Sequence, residues 1–448
     1  MEYSERRDFI LNGNMAKVIL TLSLPIMLNN LIQTIYNLTD TFFVSRLGTS
    51  QLAAMQFTWP LIFLMTSLAA GLGIAATALI SQKIGEDKPK DARKTAGQAL
   101  SFTLLIALVF GTLGYLATPI ILKTMGGTGD LLHYSVAYLR IMFLGMPTVF
   151  LFFAFSAIRQ GQGDMTTPMQ LSAMSVFLNI VLDPIFIFKL NMGIQGAAIA
   201  TVISRGVFII YAVYIMFYSG NGIQMRLKDL ILDSATVNRI LKIGLPSMIG
   251  QSTTSLGFAV MNAFIVTYGD ATLSAFALGN RISSLTFMPA MGISSALTTI
   301  VGQNMGALNL PRAKEAFWTS IKLSLLFLIA CSAVVFAASA TIMGWFTKDQ
   351  IVFDQGLYYM RVILLTVPLM GIFFSLTGLF QGSGHTKQAM AIMMSRLWIL
   401  RIPMIIIFKY FTNWGASGIW IAMVISNILI CIAGMALYST GMWQNKVT

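Results

Sequence analysis

Two aspartates stand where no other acid does. Asp40 and Asp183 fall inside long apolar stretches, whereas the rest of the 16 acidic residues lie in loops, tails or stretch ends. Gln33, Tyr36 and Asn37 precede Asp40 at helical spacings of three and four, and Asn179 stands one turn before Asp183. Asp40 lies some four residues from the end of its stretch and Asp183 about five. Thr201 lies about eight residues into the next stretch, so all three meet at one level. An aspartate carboxyl buried at that depth can carry a proton. The same oxygens, from Asp40, Asp183, Asn179 and Thr201, can instead hold Na⁺, a hard cation that prefers oxygen ligands. The competing explanation is packing, each Asp merely bonding a neighbouring helix. A charged carboxylate in hydrocarbon costs roughly 2.5–3.5 kcal/mol, which favours a functional role.

The elements that position these residues are membrane helices. Of 448 residues, 56% are hydrophobic and 10% charged, against about 25% charged in a soluble domain. Asp40 is the only charge between Val18 and Val44, and none occurs between Gln51 and Gln82. Each run is long enough to cross ~30 Å of hydrocarbon. Further apolar runs at 96–118, 131–158, 167–188, 193–218, 237–267, 272–302, 315–343, 353–380, 388–408 and 415–440 bring the spans to twelve. They are too long and continuous for barrel strands. The fold class expected is therefore an all-α polytopic membrane protein.

A net charge of +13 suggests nucleic acid at first sight, but no loop is long enough to form a basic domain. The charge has a topological explanation instead. With the first residues inside, the inner side carries Arg6, Arg7, Lys17, Lys83, Lys88, Lys90, Arg93, Lys94, Arg159, Arg226, Lys228, Arg239, Lys242, Arg312, Lys314, Lys387 and Lys446, in total 17. The outer side carries Arg46, Lys123, Lys189, Lys348 and Lys409, in total 5. The positive-inside rule then places both termini in the cytoplasm of a multi-pass plasma (inner) membrane protein. No removable signal peptide is expected before the first span. Cys331 and Cys431 fall inside spans and read as small packing residues.

The two halves of the chain align on each other. At an offset of 221, Leu24-Pro25 falls on Leu245-Pro246, Gly48 on Gly269, Gly71 on Gly292, Gln82 on Gln303, Tyr138 on Tyr359 and Pro147 on Pro368. Gln160-Gly161 and Gly163 fall on Gln381-Gly382 and Gly384; at 222, Gly193 and Ile203-Ser204 fall on Gly415 and Ile425-Ser426. The expected organisation is a six-helix lobe over 1–218, a connection over 219–235 and a second six-helix lobe over 236–448. Six spans are an even number, so the repeats are parallel. Such repeats belong to transporters that bind between lobes and rock to alternate access. The aspartates break the symmetry, because Asp40 aligns with Met261 and Asp183 with Met404.

Asp40, Gln33, Tyr36 and Asn37 are candidate substrate contacts, with Met261 and Met288 as a soft apolar wall. Pro25, fifteen residues before Asp40, is a candidate hinge; the matching Pro246 fits a static kink equally well. Arg396 and Arg401, deep in the eleventh span, either bind helix-end carbonyls or face water.

Twelve spans in two homologous lobes, Leu24-Pro25 followed by Asp40, the doubled Gln160-Gly161-Gln162-Gly163-Asp164 and Gln381-Gly382-Ser383-Gly384-His385, and Asn179-Ile180-Val181-Leu182-Asp183-Pro184 together resemble the multidrug and toxic compound extrusion (MATE) family. The resemblance covers nearly the whole chain and is nearest to the prokaryotic DinF-like branch. It implies a multidrug efflux antiporter, monomeric, exporting amphipathic or organic cationic drugs in exchange for H⁺, or Na⁺, as coupling ion, with no cofactor and no nucleic-acid partner. It also implies that Asp40 and Asp183 are coupling acids, that Tyr36, Asn179 and Thr201 are their network, and that Pro25 is the bend in the first helix. Met261 stands where the NorM branch has an acid, which argues against a second-lobe Na⁺ site.

The rival is a flippase for a lipid-linked oligosaccharide from the same superfamily, which would want a strongly cationic cleft. An enzyme is not expected, since the chain has no GxSxG, HExxH or Walker loop, and its two histidines, His133 and His385, lie near loops.

Overall fold

The computed structural model describes residues 3–218 and 222–445. The start of the expected 219–235 connection and Lys446 lie outside the described residues. Eight helices are long and apolar enough to cross a membrane: Met15–Ser45, Thr49–Gly85, Pro89–Thr124, Thr166–Lys189, Gly193–Tyr218, Leu310–Ala337, Thr386–Phe411 and Ser417–Ser439. Three more spans are bent helix pairs, Gly129–Leu144 with Met146–Gly161, Asp270–Thr286 with Met288–Gly306, and Gln350–Leu364 with Val367–Gly382. The helix Ser234–Val266 completes twelve. Its 33 residues reach about 50 Å, though Gln251, Ser252, Thr253, Thr254, Ser255 and Asn262 make it less apolar than the rest.

The repeat is present in the backbone as well as in the residues. Met146–Gly161 and Val367–Gly382 share the offset of 221 at both ends. Gly48 and Gly269, which open the second and eighth spans, both hold positive φ, 125° and 102°. A side chain would be strained there. Asp87 and Leu308, also 221 apart, adopt φ of 57° and 58°, so the same backbone turn recurs with unlike residues. Inside each lobe one hydrogen bond is duplicated too. The Thr77 hydroxyl donates to the Ala157 carbonyl at 3.2 Å, and Thr298 donates to Gly378 at 3.3 Å.

Prolines divide into two kinds. Pro147, Pro289 and Pro368 open the second halves of the three bent pairs, which turn by 46°, 47° and 51°. There the missing proline N–H falls in a first helical turn, where no intrahelical partner exists. Pro25 and Pro246 lie inside unbroken helices instead. The second span, Thr49–Gly85, is continuous where its counterpart bends, because Leu68 stands opposite Pro289.

Compact packing groups Met1–Asp8 with Leu28–Met248, and Phe9–Met27 with Ile249–Thr448. The exchange points fall two residues beyond Pro25 and Pro246. The described end of the connection is fastened to the third span. Gln98 donates to the carbonyls of Asp229 and Ile231 and accepts from the Asp233 N–H, while Arg93 pairs with Asp229 at 3.0 Å. The Thr236 hydroxyl and the Lys94 ammonium hold the Asp233 carboxyl down at about 2. That stabilisation is present above the ordinary carboxylate value and is lost only as pH falls through about 2.

Candidate functional site

The first, fifth and sixth spans bring the predicted polar residues together in the unit that contains 28–248. Asp40, Asp183, Asn179, Thr201 and Tyr36 are all buried. The Tyr36 and Thr201 hydroxyls lie 2.8 Å apart, and the Asn179 amide donates to Asp183 Oδ1 at 3.2 Å. Asp40 lies close to both Tyr36 and Asp183. The five side chains thus form two bonded pairs, Thr201–Tyr36 and Asn179–Asp183, with Asp40 close to both. The depth count had placed the acids at one level, and they do meet.

The donors in this group are not enough for its oxygens. A phenol that donates to Asp40 must accept from Thr201, which orients the hydroxyls. Asp40 Oδ1, Asp183 Oδ2 and Asn179 Oδ1 are buried without a hydrogen-bond partner. Two facing carboxylates offer only acceptors to each other. One proton, or a cation, between them would satisfy what the protein leaves open.

Gln33 is half-buried on the same face and donates to the Ser172 hydroxyl at 2.8 Å. Asn37, expected on that face, is exposed. At about 100° per residue, Gln33, Tyr36 and Asp40 share a stripe about 60° wide, and Asn37 lies about 40° beyond its Gln33 edge. Pro25 and Met288 are half-buried, and Met261 is fully buried. Two neighbours were missed. The Arg205 guanidinium sits over the Tyr36 ring at 5.4 Å, and buried Tyr138 lies beside Asp40 and Asp183. Both left a signal, since Arg205 is one turn after Thr201 and Tyr138 is duplicated by Tyr359.

In the other unit Arg401 is buried and bonds Ser426 and Asn427 of the twelfth span at 3.0 and 2.8 Å. Arg396 lies over the Phe373 ring at 4.4 Å, with the Met370 sulfur at 3.2 Å. Neither takes the helix-end carbonyl that the sequence offered as an alternative.

The profile of the MatE family matches twice, over residues 25–185 and 246–407, which is the internal repeat itself. The chain is 27% identical to a probable multidrug resistance protein, YoeA of Bacillus subtilis, covering 91% of this chain and 90% of the relative. It is 26% identical to an FAD transporter of Shewanella oneidensis, covering 95% of each. Among solved structures it superposes on a MATE crystal structure in a bent conformation with a TM-score of 0.92 and 27% identity, over 97% of each chain. Twelve spans, two copies of one profile and this superposition make the chain a multi-pass membrane transporter rather than an enzyme, and it belongs to the MatE family.

Proposed function

We propose that the protein is a secondary active exporter of amphipathic and organic cationic compounds, driven by inward movement of H⁺ at Asp40 and Asp183. The observation that carries this reading is the buried carboxyl pair, short of donors, with Asn179 bonded to Asp183 and the bonded Tyr36 and Thr201 hydroxyls beside Asp40. A proton entering the pair removes a charge from a poorly solvated site and changes which partners Tyr36 and Asn179 bond. For exchange, ion and drug must favour opposite states of the protein, because a ligand that binds both equally shifts nothing. Pro25 supplies the bend: its ring removes one backbone bond at the point where the first span changes packing unit. Asp40 with Gln33 offers a cation polar contacts.

The test is dye efflux from proteoliposomes with an imposed pH gradient and no sodium. Export of an ethidium-like or rhodamine-like cation is expected. Absence of export, with translocation of a lipid-linked oligosaccharide in its place, would make the protein a flippase. Export that needs sodium moves Asp40, Asp183, Asn179 and Thr201 to a Na⁺ site.

The orientation proposed follows from the 17-to-5 distribution of basic residues, with both termini in the cytoplasm of the cell membrane. A cysteine at Asp130 or Asp270 should label with an impermeant thiol reagent added outside, and one at Lys88 or Lys228 should not. Labelling of the opposite pair would invert the topology.

A further inference from the structure

The lobe that lacks membrane acids carries two arginines inside a span in their place. Arg396 and Arg401 lie in a π-helical segment, Ser395–Arg401. Wider π-turns bring residues five apart closer to one face than an α-helix would, and such segments are frequent at functional sites. The two guanidinium groups are near enough to feel each other's charge. No carboxylate among the described residues pairs with either. The acids of this half, Asp270, Glu315, Asp349 and Asp354, all stand near helix ends. Ser426, Asn427, Met370 and Phe373 bring no negative charge, and Arg396 Nε is a buried donor with no partner. Two unpaired like charges at membrane depth are expensive to hold.

Their place in the repeat sharpens the point. Tyr138, beside Asp40 and Asp183, corresponds at 221 to Tyr359, which lies beside Arg401. Arg205, which covers Tyr36, corresponds at 222 to Asn427, which bonds Arg401. The two lobes therefore build quasi-equivalent buried sites of opposite charge. Arg401 is held in one orientation by two neutral acceptors, whereas Arg396 remains half-exposed with donors to spare. A planar guanidinium with free donors matches an oxyanion better than a spherical ion.

We propose that Arg396 and Arg401 form an oxyanion-binding site that takes the carboxylate or phosphate of an amphipathic substrate. Calling the ligand a substrate rests on the export reading above, and it extends the substrate class from cations to anionic and zwitterionic amphipaths. The binding itself depends on no ion gradient.

The experiment is equilibrium binding to the purified full-length protein, with decyl phosphate, decyltrimethylammonium and inorganic phosphate as probes. Decyl phosphate should bind saturably. Arg396→Gln, at a half-exposed position, and Arg401→Lys, which keeps charge but loses the fork, should each weaken it by about tenfold or more. Decyltrimethylammonium binding should be unchanged in both. Unchanged decyl phosphate affinity in both arginine variants overturns the site, as does an equal loss for the cation. Inorganic phosphate binding as tightly as decyl phosphate, or full displacement by phosphatidylglycerol, overturns the assignment to a substrate in favour of a free anion or a lipid headgroup.

Discussion

Asp40→Asn and Asp183→Asn should each abolish dye efflux driven by a pH gradient, to below about a tenth of the wild-type rate, without unfolding the protein. Asparagine keeps the size and a carbonyl acceptor of the side chain while fixing it in a neutral form. The pair then resembles its protonated state permanently, and the ion no longer distinguishes the two conformations. A ligand without differential affinity cannot drive an equilibrium. Both residues are buried and linked through one contact, so the effects should not add: either substitution alone removes the cycle. Tyr36→Phe should give a partial loss, because it removes the hydroxyl that bonds Thr201 beside Asp40 but leaves the carboxyl pair in place. Met261→Ala, at the position aligned with Asp40 in the other lobe, should retain coupling. The readout is efflux from sodium-free proteoliposomes, with gel filtration to show folding. Transport that survives in the double asparagine variant would remove these residues from the coupling cycle.

The second large effect is expected where two helices touch through glycine. In the unit that contains 249–448, the second halves of the eighth and tenth spans pack closely. A Cβ on Gly382 would overlap the Thr298 carbonyl oxygen and lie 3.0 Å from its Cα. One on Gly378 would lie 2.6 Å from the Ser294 carbonyl oxygen and 2.9 Å from its hydroxyl. These are mostly backbone atoms, which cannot step aside as a flexible side chain can. Small residues let membrane helices approach and exchange polar contacts, and here Ser294 and Thr298 donate across the contact to Phe374 and Gly378. Gly382→Val and Gly378→Val should each force the helices apart at a cost of about 1–3 kcal/mol or more. Most of the expressed protein should then aggregate or melt early in detergent. Gly344→Ala is the control, since its Cβ would meet only Phe353 at 3.8 Å. Valine variants that melt with the wild type would show that this contact is loose.

Much of the architecture is legible in the sequence. Apolar run length alone marks the spans, because a helix must satisfy its backbone across a fixed thickness of hydrocarbon. The repeat was legible because both copies keep the turn residues that their shared backbone needs, as Gly48 and Gly269 show. Asp40 and Asp183 stood out because an acid in an apolar run is costly and their counterparts are methionines. Asn179 and Asp183 are one turn apart, so the helix itself brings them together.

Tertiary structure decided what joins across spans. Tyr36 and Thr201 are 165 residues apart, and no helical periodicity tells which edge of the Gln33–Tyr36–Asn37–Asp40 stripe is covered. Packing buried Tyr36 and left Asn37 exposed. Helix breaks fell at Pro147, Pro289 and Pro368, while the helices that hold Pro25 and Pro246 run unbroken, because what a proline does depends on whether its missing N–H falls in a first turn or an interior one. Arg396 and Arg401 were visible as deep cations, but that they share a π-turn and find only neutral partners is a fact of packing. A sequence records which groups are expensive to bury, and only the fold records what, if anything, each of them is buried against.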